Sequence, residues 1–261
     1  MLKFVFAKTG RYTVFEVEHY QFRRIIRSVL INLRYRGIVP TVLGTVASVC
    51  RKLKLPILQN FQFHQQGGMK DWLDVGGLID QKDLDVPAEE RGSGARYEAT
   101  SEYELRYVLE SLRVPYQSYN FIDYGSGKGI ALAIAAGYPF NAVTGIEFSQ
   151  QLHLTAEKNI EELKQRNMAI CNKVTSQCRD AMAYELPKIP HVIYLFNSFG
   201  ADILEVVLNR IAADLSDIEQ PVYFLYNNPM QRETVEKHGF FKNIARPMGG
   251  KWRVYSTKPD F

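Results

Sequence analysis

The residues of this chain whose types and spacing could do chemistry gather in one stretch, Phe121-Ile122-Asp123-Tyr124-Gly125-Ser126-Gly127-Lys128-Gly129. Glycine lets a backbone approach a ligand closely, and the N–H groups of a helix's first turn point at whatever sits there. A strand before the glycines and a helix after them would make this an anion- and nucleotide-binding corner. The hydrophobic pattern predicts both. Phe121–Tyr124 reads as a buried strand, and Ile130–Ala136 reads as an apolar helix stopped by Gly137 ahead of Pro139. A second strand is predicted over Ala142–Glu147, ending in a carboxylate. Glu147 follows the loop by about 20 residues, the spacing at which a strand-end carboxylate accepts hydrogen bonds from ribose hydroxyls.

Two common ligand signatures do not fit. The dinucleotide fingerprint needs Gly or Ala where Ile130 stands, and a phosphate-binding P-loop needs Ser or Thr where Gly129 follows Lys128. What remains, D-x-G-x-G-x-G, resembles motif I of the class I S-adenosylmethionine-dependent methyltransferases. The resemblance implies S-adenosyl-L-methionine as cofactor, S-adenosyl-L-homocysteine as product, and no metal. It places Asp123, Gly125, Ser126, Gly127 and Gly129 on the methionine part and Glu147 on the ribose. Asp180 and the backbone near Ala181 would meet the adenine edge.

Tyr97 and Thr100, just ahead of the motif, are implied contacts to the cofactor's carboxylate. For them packing and helix capping stand as equal readings. After the expected fourth strand, His191–Phe196, the run Asn197-Ser198-Phe199-Gly200 resembles the N-P-P-[YF] motif of enzymes that methylate planar nitrogens. It keeps Asn197 and an aromatic at Phe199 as candidate catalytic residues. It lacks both prolines and is one residue shorter, which leaves the acceptor open between a protein side chain, a nucleic-acid base and a small molecule.

The elements that must position these residues are readable in order. Ser101-x-x-Glu104 has capping-box spacing, with Leu105, Val108, Leu109 and Leu112 on one helical face. Ser149 can cap a helix whose core face is Leu152, Ala156, Ile160 and Leu163, on which His153 reads as a packing residue. A faint strand spans 173–178. A helix follows over 202–215, a strand over 222–226, a short helix near 231–238, and two last strands at 240–246 and 252–257. The expected fold class is α/β: a doubly wound, mostly parallel seven-stranded sheet with an antiparallel C-terminal hairpin. To it is added a basic, helical N-terminal extension.

A chain of 261 residues, 46% hydrophobic, can bury one large core with residues to spare. Three cysteines without metal-site spacing fit a reducing compartment. The opening residues, with their short apolar run broken by lysines, do not read as a signal peptide, so a cytoplasmic enzyme is expected.

The net charge of +4 is unevenly spread. Residues 1–56 hold eleven Lys/Arg against two Asp/Glu, so the remainder is net negative. Residues 1–62 read as a hairpin and two helices. The arginine-flanked stretch 22–54 is either a solvated face or a contact to an anionic membrane or nucleic-acid surface. Residues 63–96 read as a linker or lid anchored by Trp72, Leu73, Val75, Leu78 and Ile79, and 97–261 as the cofactor-binding domain. Two rival functions remain on the sequence alone: a nucleotide-dependent oxidoreductase, and a non-catalytic protein that keeps the cofactor fold while its basic helices bind.

Overall fold

The computed structural model describes residues 69–77 and 98–258. The expected N-terminal hairpin and basic helices, Leu78, Ile79, most of the linker and Tyr97 lie outside the described residues.

Seven strands make one sheet: β1 (Asn120–Tyr124), β2 (Ala142–Glu147), β3 (Val174–Cys178), β4 (His191–Phe196), β5 (Tyr223–Asn227), β6 (Lys242–Ala245) and β7 (Trp252–Ser256). Their order across the sheet is β3-β2-β1-β4-β5-β7-β6. The first five are parallel, and β7 runs antiparallel between β5 and β6. This is the doubly wound sheet with a reversed hairpin that the pattern predicts. The order reverses between β1 and β4, and in such sheets ligands bind outside the carboxyl ends of the strands at that point.

Among the described residues, five α-helices cover the two faces: α1 (Glu102–Leu112), α2 (Ile130–Ala136), α3 (Gln150–Gln165), α4 (Ala201–Leu215) and α5 (Arg232–His238). Every residue of α2 is buried. A helix apolar all round belongs in a core, and its four alanines let it lie close to the strands. Phe121, Val143, Tyr194, Leu225 and Trp252 pack on the face shared with α1 and α2. Ile122, Tyr124, Ile193, Leu195 and Phe224 pack on the opposite face against Leu204, Leu208 and Val235. β1 and β5 are buried along their whole length, as parallel strands covered on both sides must be.

The start of α1 differs from its capping-box pattern. Ser101 occupies the N-cap position but makes no side-chain cap bond. Glu104 turns instead to the hairpin, where its carboxylate accepts from Trp252 Nε1 at 3.1 Å and Lys251 Nζ at 2.7 Å. Trp252 is fully buried, and an indole N–H left unpaired there would cost about 1–3 kcal/mol. A capping bond is worth only about 1 kcal/mol, so the carboxylate goes to the larger debt. Glu104→Ala should therefore destabilise the protein by about 1–3 kcal/mol. Ser101→Ala should stay within about 0.5 kcal/mol. Urea denaturation of the two variants checks this, and the reverse ranking would restore the capping box.

Candidate functional site

The glycine loop runs from the end of β1 to the start of α2, and its geometry explains its composition. Gly125 has φ +74°, and a Cβ there would stand 2.4 Å from Ser198 Oγ on the loop that follows β4. The bare backbone therefore lets two loops at the sheet's carboxyl edge touch. Gly145, inside β2, does the same for Ser126, whose Oγ would lie 2.5 Å from a Cβ at that position. Gly145 pairs in register with Asp123, so the strand beside the acid gives up its side chain to admit the loop.

Glu147 closes the corner. Its Oε2 accepts from Gly127 N at 2.7 Å and its Oε1 from Ser149 N at 2.9 Å. Ser149 in turn caps α3, its Oγ accepting from Leu152 N at 3.2 Å. One buried carboxylate thus joins the glycine loop, the end of β2 and the start of α3. Each carboxylate oxygen can accept more than one hydrogen bond, so fastening the loop is compatible with holding a ligand's hydroxyls.

Asp123 is also buried. Desolvation first, and the charge of Glu147 second, push its carboxyl well above the ordinary range. A group raised in this way stabilises the folded state fully below its unfolded pKa. That stability is lost as pH rises through the folded value. Asp123→Asn, which cannot ionise, should therefore gain stability over the wild type progressively as pH rises above the ordinary carboxylate range. Denaturant midpoints of both proteins across pH test this; a difference independent of pH would overturn it.

The remaining candidates fall at the same edge. Thr100 is buried just ahead of α1, its Oγ1 2.9 Å from Tyr194 Oη on β4. Asp180 caps the short turn over Ala181–Ala183, with Oδ1 accepting from Met182 N at 2.8 Å, and Ala181 is buried behind it. Asn197 begins the loop after β4 in the left-handed region, φ 44°, which asparagine tolerates better than most side chains. It is Ser198 that meets the glycine loop, while Phe199 is half-buried against the apolar cluster of the opposite face.

Four features escape a reading of the sequence. Phe148 and Met182 are exposed apolar side chains that follow Glu147 and Asp180 closely in the chain. Tyr194 and Asn227 form a buried polar pair behind Thr100. A lone aromatic directly after a strand-end acid was the one available signal, at Phe148.

Residues 69–77 also belong here. Met69, Leu73 and Val75 are buried in the core under α1 and α2. Asn159 on α3 clamps the segment: its Oδ1 accepts from Asp74 N at 2.9 Å, and its Nδ2 donates to Asp74 O at 3.0 Å and Lys128 O at 2.8 Å. Lys128 Nζ reaches Asp74 Oδ1 at 2.9 Å and Gly76 O at 3.0 Å. The lysine of the glycine loop therefore serves the segment that crosses it. Asp74's side chain is 72% exposed, and such an ion pair is worth about 0–1 kcal/mol. The buried amide clamp dominates. Asn159→Ala should cost about 1–3 kcal/mol, and Asp74→Ala under about 1 kcal/mol. Equal losses in a denaturation experiment would contradict this division.

No protein-family model and no curated protein matches this sequence. Solved structures do. A ribosomal protein L11 methylase from Lactobacillus delbrueckii subsp. bulgaricus aligns at 18% identity over 59% of this chain and 76% of its own, with a TM-score of 0.44. An RNA methyltransferase from Salinibacter ruber, in complex with S-adenosyl-L-homocysteine, aligns at 19% over 61% and 92%, TM-score 0.45. A magnesium protoporphyrin IX methyltransferase from Synechocystis, with bound cofactor, aligns at 14% over 59% and 77%, TM-score 0.43.

Proposed function

We propose that this chain is an S-adenosylmethionine-dependent methyltransferase. The observation that carries the reading is the bond from Gly127 N to Glu147 Oε2, 2.7 Å. It brings the glycine loop of β1 and the terminal acid of β2 into one site at the carboxyl edge, beside the point where strand order reverses.

The donor set suits this cofactor. Asp123 and Glu147 raise the cost of each other's charge, and a ligand bearing a sulfonium and an ammonium relieves it. A pyrophosphate on the same loop would face both carboxylates, which disfavours the dinucleotide alternative. Gly125, Ser126, Gly127 and Gly129 would seat the methionine part, with Thr100 at its carboxylate and Glu147 at the ribose. Asp180 and Ala181 would border the adenine, with Phe148 and Met182 offering apolar surface to its ring.

When bound, the cofactor supplies an electrophilic methyl group whose transfer to the acceptor's lone pair leaves a neutral thioether. The chain's own part is to align and desolvate. Effective molarity from such alignment can supply about 7–11 kcal/mol of barrier reduction, so no strong general base is demanded. Asn197 would be the residue nearest the transferred methyl.

Calorimetric titration with S-adenosylmethionine and, separately, S-adenosylhomocysteine tests the proposal. Both should bind saturably. Gly127→Arg should abolish binding, and Glu147→Gln should weaken both ligands by about tenfold or more, the scale of a lost charge-assisted hydrogen bond. Thermal melts confirm that the variants fold. No binding to the wild type would end the reading, and unchanged affinity in Glu147→Gln would remove the ribose assignment.

A further inference from the structure

Behind Thr100 runs a buried chain of polar groups whose direction can be worked out. Asn227, the last residue of β5, is 1% exposed, and its Nδ2 donates to Tyr194 Oη at 3.2 Å. Tyr194 Oη lies 2.9 Å from Thr100 Oγ1. Tyr194 is fully buried, and burial, with Asp123's charge adding to it, holds the phenol far above its ordinary range, so it keeps its single proton. With the amide turned so that its Nδ2 faces Tyr194, a donation from Thr100 to Tyr194 would leave the phenol proton without an acceptor among the described residues. The satisfied arrangement is the other one: Asn227 N–H to Tyr194, Tyr194 O–H to Thr100, and the Thr100 proton directed onward.

This polarity leaves one atom over. Asn227 Oδ1 is buried and has no hydrogen-bond partner among the described residues, which is destabilising unless a ligand supplies a donor. Its position is informative. Asn227 pairs in register with Phe196, the residue before Asn197, so it stands at the carboxyl edge beside the loop assigned to the acceptor. Asp123 shares a register row with Tyr194. The surroundings therefore hold acceptors and a carboxyl group, which oppose an anionic guest and favour one that donates.

We propose that Asn227 Oδ1 determines acceptor specificity by receiving an N–H of the methyl acceptor, a neutral or cationic nitrogen group. Tyr194 and Thr100 are positioning residues that hold the amide in this orientation. The inference rests on the methyltransferase reading and narrows its acceptor class. Through the same chain, the donor that Thr100 turns toward the cofactor's carboxylate is polarised by whatever Asn227 binds.

The test uses S-adenosylhomocysteine and sinefungin, the cofactor analogue that carries an amine-bearing carbon in place of the methyl sulfonium and so brings an N–H donor to the transfer position. The readout is the ratio of their dissociation constants by calorimetry, in which effects on the shared cofactor contacts cancel. Asn227→Leu should lower the preference for sinefungin by about tenfold, one hydrogen bond to a charged donor. Asn227→Asp also loses the donor to Tyr194 but keeps an acceptor oxygen, and it should retain the wild-type preference. Equal ratios in wild type, Leu and Asp variants would overturn this inference and leave the cofactor site standing. So would a loss of the same size in Leu and Asp, which marks a purely structural amide. Binding of neither ligand to the wild type would instead remove the methyltransferase reading, and this inference with it.

Discussion

The Glu147 carboxylate is the junction on which the rest of the site depends. It takes one N–H from the glycine loop and one from the residue that caps α3. Without it, two backbone donors would be buried unpaired, and the loop would be tied to β2 only through the N–H groups of Gly125 and Ser126 on the Ile146 carbonyl. Burial first, and this charge second, hold the Asp123 carboxyl well above the ordinary range. The strain of two buried acids is thus localised where a positively charged ligand would sit. Stability given up in the unliganded chain is returned as affinity, a division that active sites use widely.

How much of this was legible depends on sequence separation. β1, the glycine loop, α2 and β2 were readable because their signals are local: alternate glycines, an all-apolar helix, an acid at a strand end. Ser149 was correctly placed as a cap for the same reason. The mostly parallel sheet with its antiparallel C-terminal hairpin followed from alternating elements. What escaped was set by partners far along the chain. Glu104 and Trp252 stand 148 positions apart, so nothing near Ser101 signalled that its capping partner would be taken. Asn159 is an ordinary helical asparagine until Asp74, 85 positions away, lies beside it. Gly145 carries no local signal within its strand, and only the fold shows that Ser126 and Leu132 need the space.

The segment over residues 69–77 changes the meaning of Lys128. In the motif it looks like a cation offered to a ligand. In the fold its ammonium is turned to Asp74 and Gly76, while the N–H groups of Gly125, Ser126, Gly127 and Gly129 donate within the chain. The amide of Asn159 grips both the crossing segment and the Lys128 carbonyl, and makes the two move as one unit.

The chain's two tryptophans happen to divide this structure between them. Trp72 lies in the crossing segment beneath the Arg166 guanidinium, 4.7 Å from its ring centroid. Trp252 is sealed in the core, stacked on Tyr194 with centroids 5.6 Å apart. One indole therefore senses the segment and the other senses the ring behind the polar relay. Intrinsic tryptophan emission from this protein is a two-channel optical signal, and replacing Trp72 by Phe would leave a single buried indole reading events at Tyr194 without any added label.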